Sequence, residues 1–242
     1  LGRMFGMRSI MLFLSQFRID SSTSVSIWKR WGTMAQRMIE ENPYLLCCEE
    51  VGMGFEQCEM IASKLKIPPD SSYRIEAALQ FVLRHNLSNG HTCLPQDKLL
   101  PACTGLLGQN QIMVEKALEM LVRRKEVVCA SVNGRAYCYL PEYWEAEHYL
   151  ASRIRVMLMV GTDPVRDARD RIDALEQNNG IQYADLQKDA IEQAISHHLF
   201  ILTGGPGTGK TTTINAIIEL LEQSGNRVAL CAPTGRAAKR MS

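Results

Sequence analysis

A glycine-rich segment near the carboxyl end of the sequence has the composition and spacing of a phosphate-binding loop. Residues 204–211 match the pattern G-x-x-x-x-G-K-[ST] completely. Glycines let the backbone curl so that successive amide hydrogens point at phosphate oxygens, and the helix that follows favours the anion. Lys210 is predicted to contact the β- and γ-phosphates of ATP, and Thr211 to bind Mg²⁺. The predicted nucleotide-binding residues of the loop are Gly205, Pro206, Gly207, Thr208, Gly209, Lys210, Thr211 and Thr212.

Two neighbouring segments help to indicate which class of nucleotide-binding protein contains this loop. Gln187 lies 23 residues before Lys210, where its amide could read the edge of adenine. After the next apolar segment, residues 232–241 read Ala-Pro-Thr-Gly-Arg-Ala-Ala-Lys-Arg-Met, a turn that opens a basic helix. Such a turn suits a nucleic-acid backbone, although a solvated helix end has the same composition. The residues predicted to contact DNA here are Thr234, Gly235, Arg236 and Lys239.

A second candidate for phosphate contact lies in the amino-terminal region. Residues 51–55, Val-Gly-Met-Gly-Phe, precede an apolar helical pattern and have the form of a helix-hairpin-helix. Gly52 and Gly54 would form the tight turn, and the amides that open the second helix would hold a DNA phosphate without reading bases. A purely structural helical hairpin is the alternative. Residues 17–20 align as a degenerate copy in which both glycines are replaced, by Arg18 and Asp20.

The elements that must position these residues predict a multidomain fold. An α-helical tandem helix-hairpin-helix region is expected over 1–67, followed by a winged-helix-like α+β unit over 68–142. A charged helical connector follows over 143–180. Residues 181–242 predict the start of an α/β P-loop, RecA-like motor domain, truncated after its second strand. Its predicted elements are a helix over 186–196, a strand over 199–203, a helix over 211–223 and a strand over 228–232.

Charge, apolar segments and cysteine content further limit the classes of protein to which the chain can belong. The net charge of +1 gives no global basic field, so any DNA-binding surface must be local. No apolar run near the start is long enough for a signal peptide or a membrane span. The eight cysteines are therefore expected to be free thiols in a reducing cytoplasm. The Asn133-Gly134 turn predicts a hairpin over 126–140 that sets Cys129 opposite Cys138, close together yet reduced.

The order and spacing of these segments resemble one family. Gln187, the phosphate loop and residues 232–241 resemble the Q motif, motif I and motif Ia of superfamily 1 helicases, and the RecD/TraA branch most of all. Upstream, residues 41–44 and 51–55, together with Gly90-His91-Thr92 and Leu94-Pro95, resemble the amino-terminal region of bacterial RecD-like ATP-dependent DNA helicases. The resemblance extends over most of the chain.

The resemblance implies ATP-driven 5′→3′ translocation on single-stranded DNA and unwinding of duplex junctions, with ATP and Mg²⁺ as cofactors, in repair or recombination. The chain is expected to be an amino-terminal fragment that ends just after motif Ia and is inactive as a helicase by itself, because no acidic motif II follows Lys210. Two alternatives stay open: another P-loop ATPase of the AAA+ type, or a DNA-binding module with an inactive half-motor.

Overall fold

The computed structural model describes residues 2–160, 165–235 and 239, with backbone alone for residues 2–5. The chain folds as two compact units, residues 1–147 and residues 148–242. Each unit has its own hydrophobic core. No helix in the described ranges is long and apolar enough to cross a membrane.

The first part of unit 1 is helical, as the sequence predicts. Its helices are α1 (Gly2–Ser15), α2 (Ser21–Trp31), α3 (Ala35–Glu41) and α4 (Phe55–Lys64), with 3₁₀ turns at Gly32–Met34 and Pro43–Cys47. Two turns stand at corresponding places in this part, one before α2 and one before α4. Both line a single groove of about 520 Å³, which also takes side chains from α4.

The second part of unit 1 has the order helix, strand, two helices and a two-stranded ribbon. Its elements are α5 (Ser72–Ser88), β1 (Cys93–Pro95), α6 (Gln96–Leu107), α7 (Gln111–Arg123), β2 (Val128–Val132) and β3 (Arg135–Tyr139). The sheet has the order β1-β3-β2 and is antiparallel throughout. Cys129 pairs with Cys138, which confirms the predicted register. The short strand β1 is missed by sequence reasoning, because three residues that end in a proline carry no strand pattern of their own.

One continuous core joins the two parts of unit 1. Stacked rings run from Tyr44 to Phe55 and on to Phe81, with centroids 5.8 and 5.2 Å apart. The turn at Pro68 and Pro69 forms where the sequence places a boundary, but buried side chains from 10 to 140 belong to the same cluster. The boundaries at 67, 142 and 180 remain predictions.

The guanidinium of Arg74 ties three segments of unit 1 together. It donates two hydrogen bonds to one Glu59 oxygen and one to the other, at 2.8–3.1 Å, and it also bonds the carbonyls of Pro69 and Leu107. The Tyr44 hydroxyl donates to the same carboxylate. Burial acts to raise the pKa of Glu59, but the hydrogen bonds from Arg74 and Tyr44 outweigh it and lower that pKa.

Unit 2 is built from helices. Its described elements include α9 (Ala168–Asn179), α10 (Asp185–Ser196) and α11 (Lys210–Gln223), and α8 (Pro141–Met159) precedes them. Ile172 and Leu175 of α9 pack against Ile191 and Leu220. The charged side chains of 167–173 have both signs, a mixture that is typical of a solvated face, and some of them bind the other two helices. Arg169 pairs with Asp189 and Glu192, Arg171 donates to the Leu220 carbonyl, and Lys188 pairs with Asp173 and Glu176.

The two strands predicted in unit 2 are not formed. Residues 199–203 and 228–232 make no ladder hydrogen bonds to any described residue, and Ile201 is 76% exposed. The physical reason is that a strand exists only through pairing with a neighbour, and the described residues of unit 2 offer neither segment a partner strand. The helices predicted on either side of the glycine-rich loop are present.

We expect Arg74→Met to lower the free energy of unfolding of unit 1 by about 2–3 kcal/mol, because it leaves the half-buried Glu59 carboxylate without its bidentate partner. Urea denaturation of the chain measures this. Arg123→Met is the matched control, since Arg123 is an exposed helical arginine, and a change within about 0.5 kcal/mol is expected there. Equal losses in both variants would refute the bridging role of Arg74.

Candidate nucleotide and DNA sites

The glycine-rich loop leads directly into helix α11. Gly207 and Gly209 both have φ of +77°, a region that residues with a Cβ rarely adopt. Thr208 closes the loop by donating its hydroxyl to the Gly205 carbonyl at 3.0 Å. Among the described residues, no acceptor binds the amide hydrogens of Gly207, Thr208 and Gly209. A turn that leaves successive amides available in this way is what a phosphate group requires.

Lys210 and Thr211 stand at the first turn of α11. The Lys210 ammonium is 2.7 Å from the Gly204 carbonyl, also bonds the Gly205 carbonyl, and lies 3.5 Å from the Thr208 hydroxyl. The ammonium therefore lies across the loop, held by neutral acceptors. The Thr211 side chain is exposed, while the next threonine but one, Thr213, is buried and bonds the Gly209 carbonyl. Pro206 and Thr212 lie in the loop and in the same helical turn, respectively.

Gln187 lies against the loop. Its side-chain oxygen accepts the amide hydrogen of Ala184 at 3.0 Å, which caps α10, and its nitrogen lies 3.5 Å from the carbonyls of Thr208 and Gly209. A Cβ built on Gly209 would come within 2.3 Å of that nitrogen. Both ends of the Gln187 amide thus face the protein, so the structure brings Gln187 to the phosphate loop without testing its predicted adenine contact.

In the hairpin before α4, the first two amides of the helix have no acceptor among the described residues. Gly52 has φ of +70°, a region that favours glycine although Arg18 adopts +58° at the corresponding place, whereas Gly54 has φ of −69°, which any residue can adopt. The backbone conformation of the turn therefore favours glycine at Gly52 and places no such demand on Gly54. Gln57 accepts the Gly54 amide hydrogen at 3.3 Å, and no described acceptor binds those of Phe55 and Glu56.

The degenerate hairpin before α2 is closed. The Asp20 carboxylate accepts the Thr23 amide hydrogen at 2.9 Å and the hydroxyls of Ser22 and Thr23. These bonds lower the pKa of Asp20, so the carboxylate stays ionised. Sequence reasoning noted the lost glycine and missed this cap, although an aspartate directly before Ser-Ser-Thr is a typical helix start.

The remaining predicted DNA contacts are less defined. Thr234, Gly235 and Lys239 are exposed, and Arg236 lies outside the described residues. The winged-helix-like prediction also allows Arg135 of the ribbon to contact DNA, with a packing role as the alternative, and its guanidinium is held by both oxygens of Asp97 at 2.8 and 2.9 Å. Within the described ranges, no group of three or more histidine, cysteine or acidic side chains could hold a metal ion.

Comparisons with known proteins place these features in one family. Residues 3–93 match the family model described as the ATP-dependent RecD2 DNA helicase HHH domain, and residues 187–242 match an AAA domain model. The chain is 33% identical over 224 residues to the ATP-dependent RecD2 DNA helicase of Deinococcus radiodurans, which covers 88% of this chain and 31% of that relative.

Subunits of the RecBCD enzyme are also similar. The RecD subunit of Mycolicibacterium smegmatis is 36% identical over 43% of this chain and 19% of its own length, and that of Mycobacterium tuberculosis is 45% identical over 24% and 11%. The chain thus spans less than a third of the length of each of these relatives. With a helix-hairpin-helix region, a phosphate loop and relatives of this kind, the chain belongs to the RecD-like family of ATP-dependent DNA helicases.

Proposed function

We propose that this chain serves an ATP-dependent DNA helicase by supplying accessory DNA-binding regions and the loop that binds the phosphates of ATP. The observation that carries the proposal is the loop itself, where three consecutive amides lack an acceptor among the described residues beside the Lys210 ammonium. The RecD2 relative is a DNA helicase by name, and the family favours this function over other P-loop ATPases. The proposed setting is cytoplasmic DNA repair or recombination.

The residues of the loop fit ATP and Mg²⁺. The amides of 207–209 would donate to phosphate oxygens, and Lys210 would add a charge-assisted hydrogen bond. The exposed Thr211 hydroxyl would serve as a Mg²⁺ ligand. Bound Mg²⁺ would neutralise the charge that develops on the phosphoryl group during transfer. The chain's own contribution is to bind and orient the phosphates.

Gln187 would link the nucleotide to the rest of unit 2. Its side chain reaches from the first turn of α10 to the loop, and α10 is fixed to α9 by the ion pairs of Arg169 and Lys188. A shift of the loop on nucleotide binding would therefore displace Gln187 and move α10. We propose this coupling in addition to the adenine contact.

The two hairpins support a DNA contact on one side of their shared groove. In the turn before α4, no described acceptor binds the Phe55 and Glu56 amides, and the Gln57 amide bonds the Gly54 carbonyl at 3.1 Å. In the turn before α2, the amide that corresponds to Gln57 bonds the Asp20 carboxylate instead, which adds a negative charge that would repel a phosphate. Arg18 and Lys64 line the groove and add positive charge near its rim. We propose that Gly52 and Gly54 form the phosphate contact and that the Arg18–Asp20 copy does not bind DNA.

The substrate and direction follow from the family resemblance. We propose 5′→3′ translocation on single-stranded DNA and unwinding at duplex junctions, with Thr234, Gly235, Arg236 and Lys239 contacting the strand. A helicase that contains this chain should separate a duplex with a 5′ single-stranded tail and leave one with only a 3′ tail intact. The opposite preference would refute the direction.

Lys210→Ala should weaken binding of Mg-ATP by the chain at least about tenfold, because a charge-assisted hydrogen bond is lost. Titration with a fluorescent ATP analogue measures this. DNA binding should be retained. Lys239→Ala is the matched control, since it is expected to weaken DNA binding and to leave nucleotide affinity unchanged. Unaltered ATP affinity in Lys210→Ala would favour the inactive half-motor.

Gly209→Ala should displace Gln187 from the loop, whereas Gly207→Ala, at the same φ, meets nothing within 4 Å. Each is expected to cost about 1–2 kcal/mol of unfolding free energy for the left-handed backbone. Gln187→Ala should then cost about 0.5–1 kcal/mol in the wild type and in Gly207→Ala, but almost nothing in Gly209→Ala. Additive losses in both backgrounds would contradict the contact.

Gly54→Asp should close the second hairpin as Asp20 closes the first. Because Gly54 has φ of −69°, aspartate fits without strain and can cap α4. We expect weaker DNA binding, by a similar factor for all sequences, and a salt dependence lowered by about one unit, because one DNA phosphate is no longer held. Gly54→Ala, which adds a side chain without a carboxylate, should bind as the wild type does.

The reciprocal change is Asp20→Gly, which should open the first hairpin at a cost of only a few tenths of a kcal/mol. Its DNA affinity and salt dependence should rise. If Gly54→Asp and Gly54→Ala behave alike, or if neither reciprocal change alters the salt dependence, the hairpins are structural.

A further inference from the structure

Two pairs of cysteine sulfurs lie in contact in unit 1. The sulfurs of Cys129 and Cys138 are 3.0 Å apart across the ribbon, and those of Cys47 and Cys58 are 3.3 Å apart between a 3₁₀ turn and α4. All four cysteines are free thiols. Neither pair belongs to the nucleotide loop or contributes a proposed DNA contact.

The two pairs share an asymmetry in exposure. Cys129 and Cys47 are half-buried, whereas Cys138 and Cys58 have no exposed surface. The hydrogen bond from Cys138 lowers the pKa of the Cys129 thiol, and the same contact raises that of Cys138. For Cys47, the bond from Cys58 lowers the pKa and the charge of Arg84 adds to the effect. In each pair the accessible sulfur is thus the more readily ionised one.

The ribbon geometry suits a bond between Cys129 and Cys138. The register sets them directly opposite, and counting from the Val132–Arg135 pair by alternation makes theirs a non-hydrogen-bonded pair. Cα atoms of such pairs are about 4.5 Å apart, at the near edge of the range that a disulfide spans. The bond would form with little movement of either strand.

We propose that the Cys129–Cys138 and Cys47–Cys58 pairs are sites of reversible oxidation to disulfides by hydroperoxides. The proposal goes beyond the helicase function and does not depend on it. Each bond would enclose a turn, the Asn133-Gly134 turn in one case and the Gly52 hairpin in the other. The pairs stay reduced until a peroxide is present.

The chemistry balances in two steps. The thiolate of the half-buried cysteine attacks a peroxide oxygen, so that an S–O bond forms, the O–O bond breaks, and hydroxide leaves and takes a proton to become water. The buried cysteine's sulfur then attacks the resulting sulfenic acid, forming the S–S bond and releasing a second water. Two thiols lose two hydrogen atoms, and hydrogen peroxide is reduced to two waters. A dithiol reductant reverses the change.

Peptide mapping of the reduced 242-residue chain after treatment with hydrogen peroxide tests the proposal. Trypsin cuts after Arg135, so a Cys129–Cys138 bond joins two peptides, whereas Cys47 and Cys58 share one peptide, which should become about 2 Da lighter. Both products should disappear with dithiothreitol. Persistence of alkylatable thiols at all four positions, while exposed Cys231 is oxidised, would overturn the proposal.

Variants separate the two roles within a pair. Cys129→Ser should slow the loss of the Cys138 thiol by about tenfold or more, because the buried sulfur cannot begin the reaction. Cys138→Ser should leave Cys129 as a sulfenic acid that dimedone traps. Cys48→Ser, beside Cys47, is the matched control and should form both bonds at the wild-type rate. Equal rates for Cys129→Ser and Cys48→Ser would contradict the assigned order.

Discussion

A backbone amide can hold a phosphate only while no acceptor of the protein itself occupies it, and this constraint governs every candidate site in the chain. Among the residues that the structure describes, the amides of Gly207, Thr208 and Gly209 meet the condition, in a loop that curves through two left-handed glycines. The hairpin before α4 meets it because Gly54 carries no side chain. The hairpin before α2 fails it because Asp20 supplies its own anion. The two hairpins have similar backbones, with φ of +58° at Arg18 and +70° at Gly52, and they differ mainly in the Asp20 carboxylate.

Side-chain contacts fix the helices that begin at these amides. In unit 2, Arg169, Arg171 and Lys188 fix α9 to α10 and α11, so that the loop leads into a helix whose position is defined. In unit 1, the Arg74 guanidinium and the stacked ring of Phe55 hold α4 beneath the open hairpin. These charged side chains are taken up in ion pairs and hydrogen bonds between helices, and a net charge of +1 is compatible with the local DNA contact that we propose.

The sequence predicted the elements whose signals are local. The motif G-x-x-x-x-G-K-[ST] predicts the loop that contains Gly207 and Gly209. The Asn133-Gly134 turn predicts the register of the ribbon, including the pairing of Cys129 with Cys138. What it missed depends on partners distant in the chain. Strand β1 exists only through β3, the 199–203 and 228–232 segments lack partners among described residues, and Arg74 meets carbonyls that no pattern links to it. Asp20 is the exception. Its helix-capping signal is local, but the sequence analysis considers only that it replaces a glycine of the hairpin.

The position of Lys210 shows how a loop of free amides avoids collapse. Its ammonium binds the carbonyls of Gly204 and Gly205, so the positive charge remains within the curve of the loop and competes for acceptors that the amides would otherwise take. Carbonyl and hydroxyl oxygens are neutral acceptors, and an ionised phosphate oxygen is a stronger one. The ammonium can therefore exchange its neutral partners for phosphate at a net gain, while Thr208 and Gly209 keep the backbone in the same curve. A loop that Lys210 already holds in this curve would bind the phosphates that we propose as its ligand at a lower ordering cost.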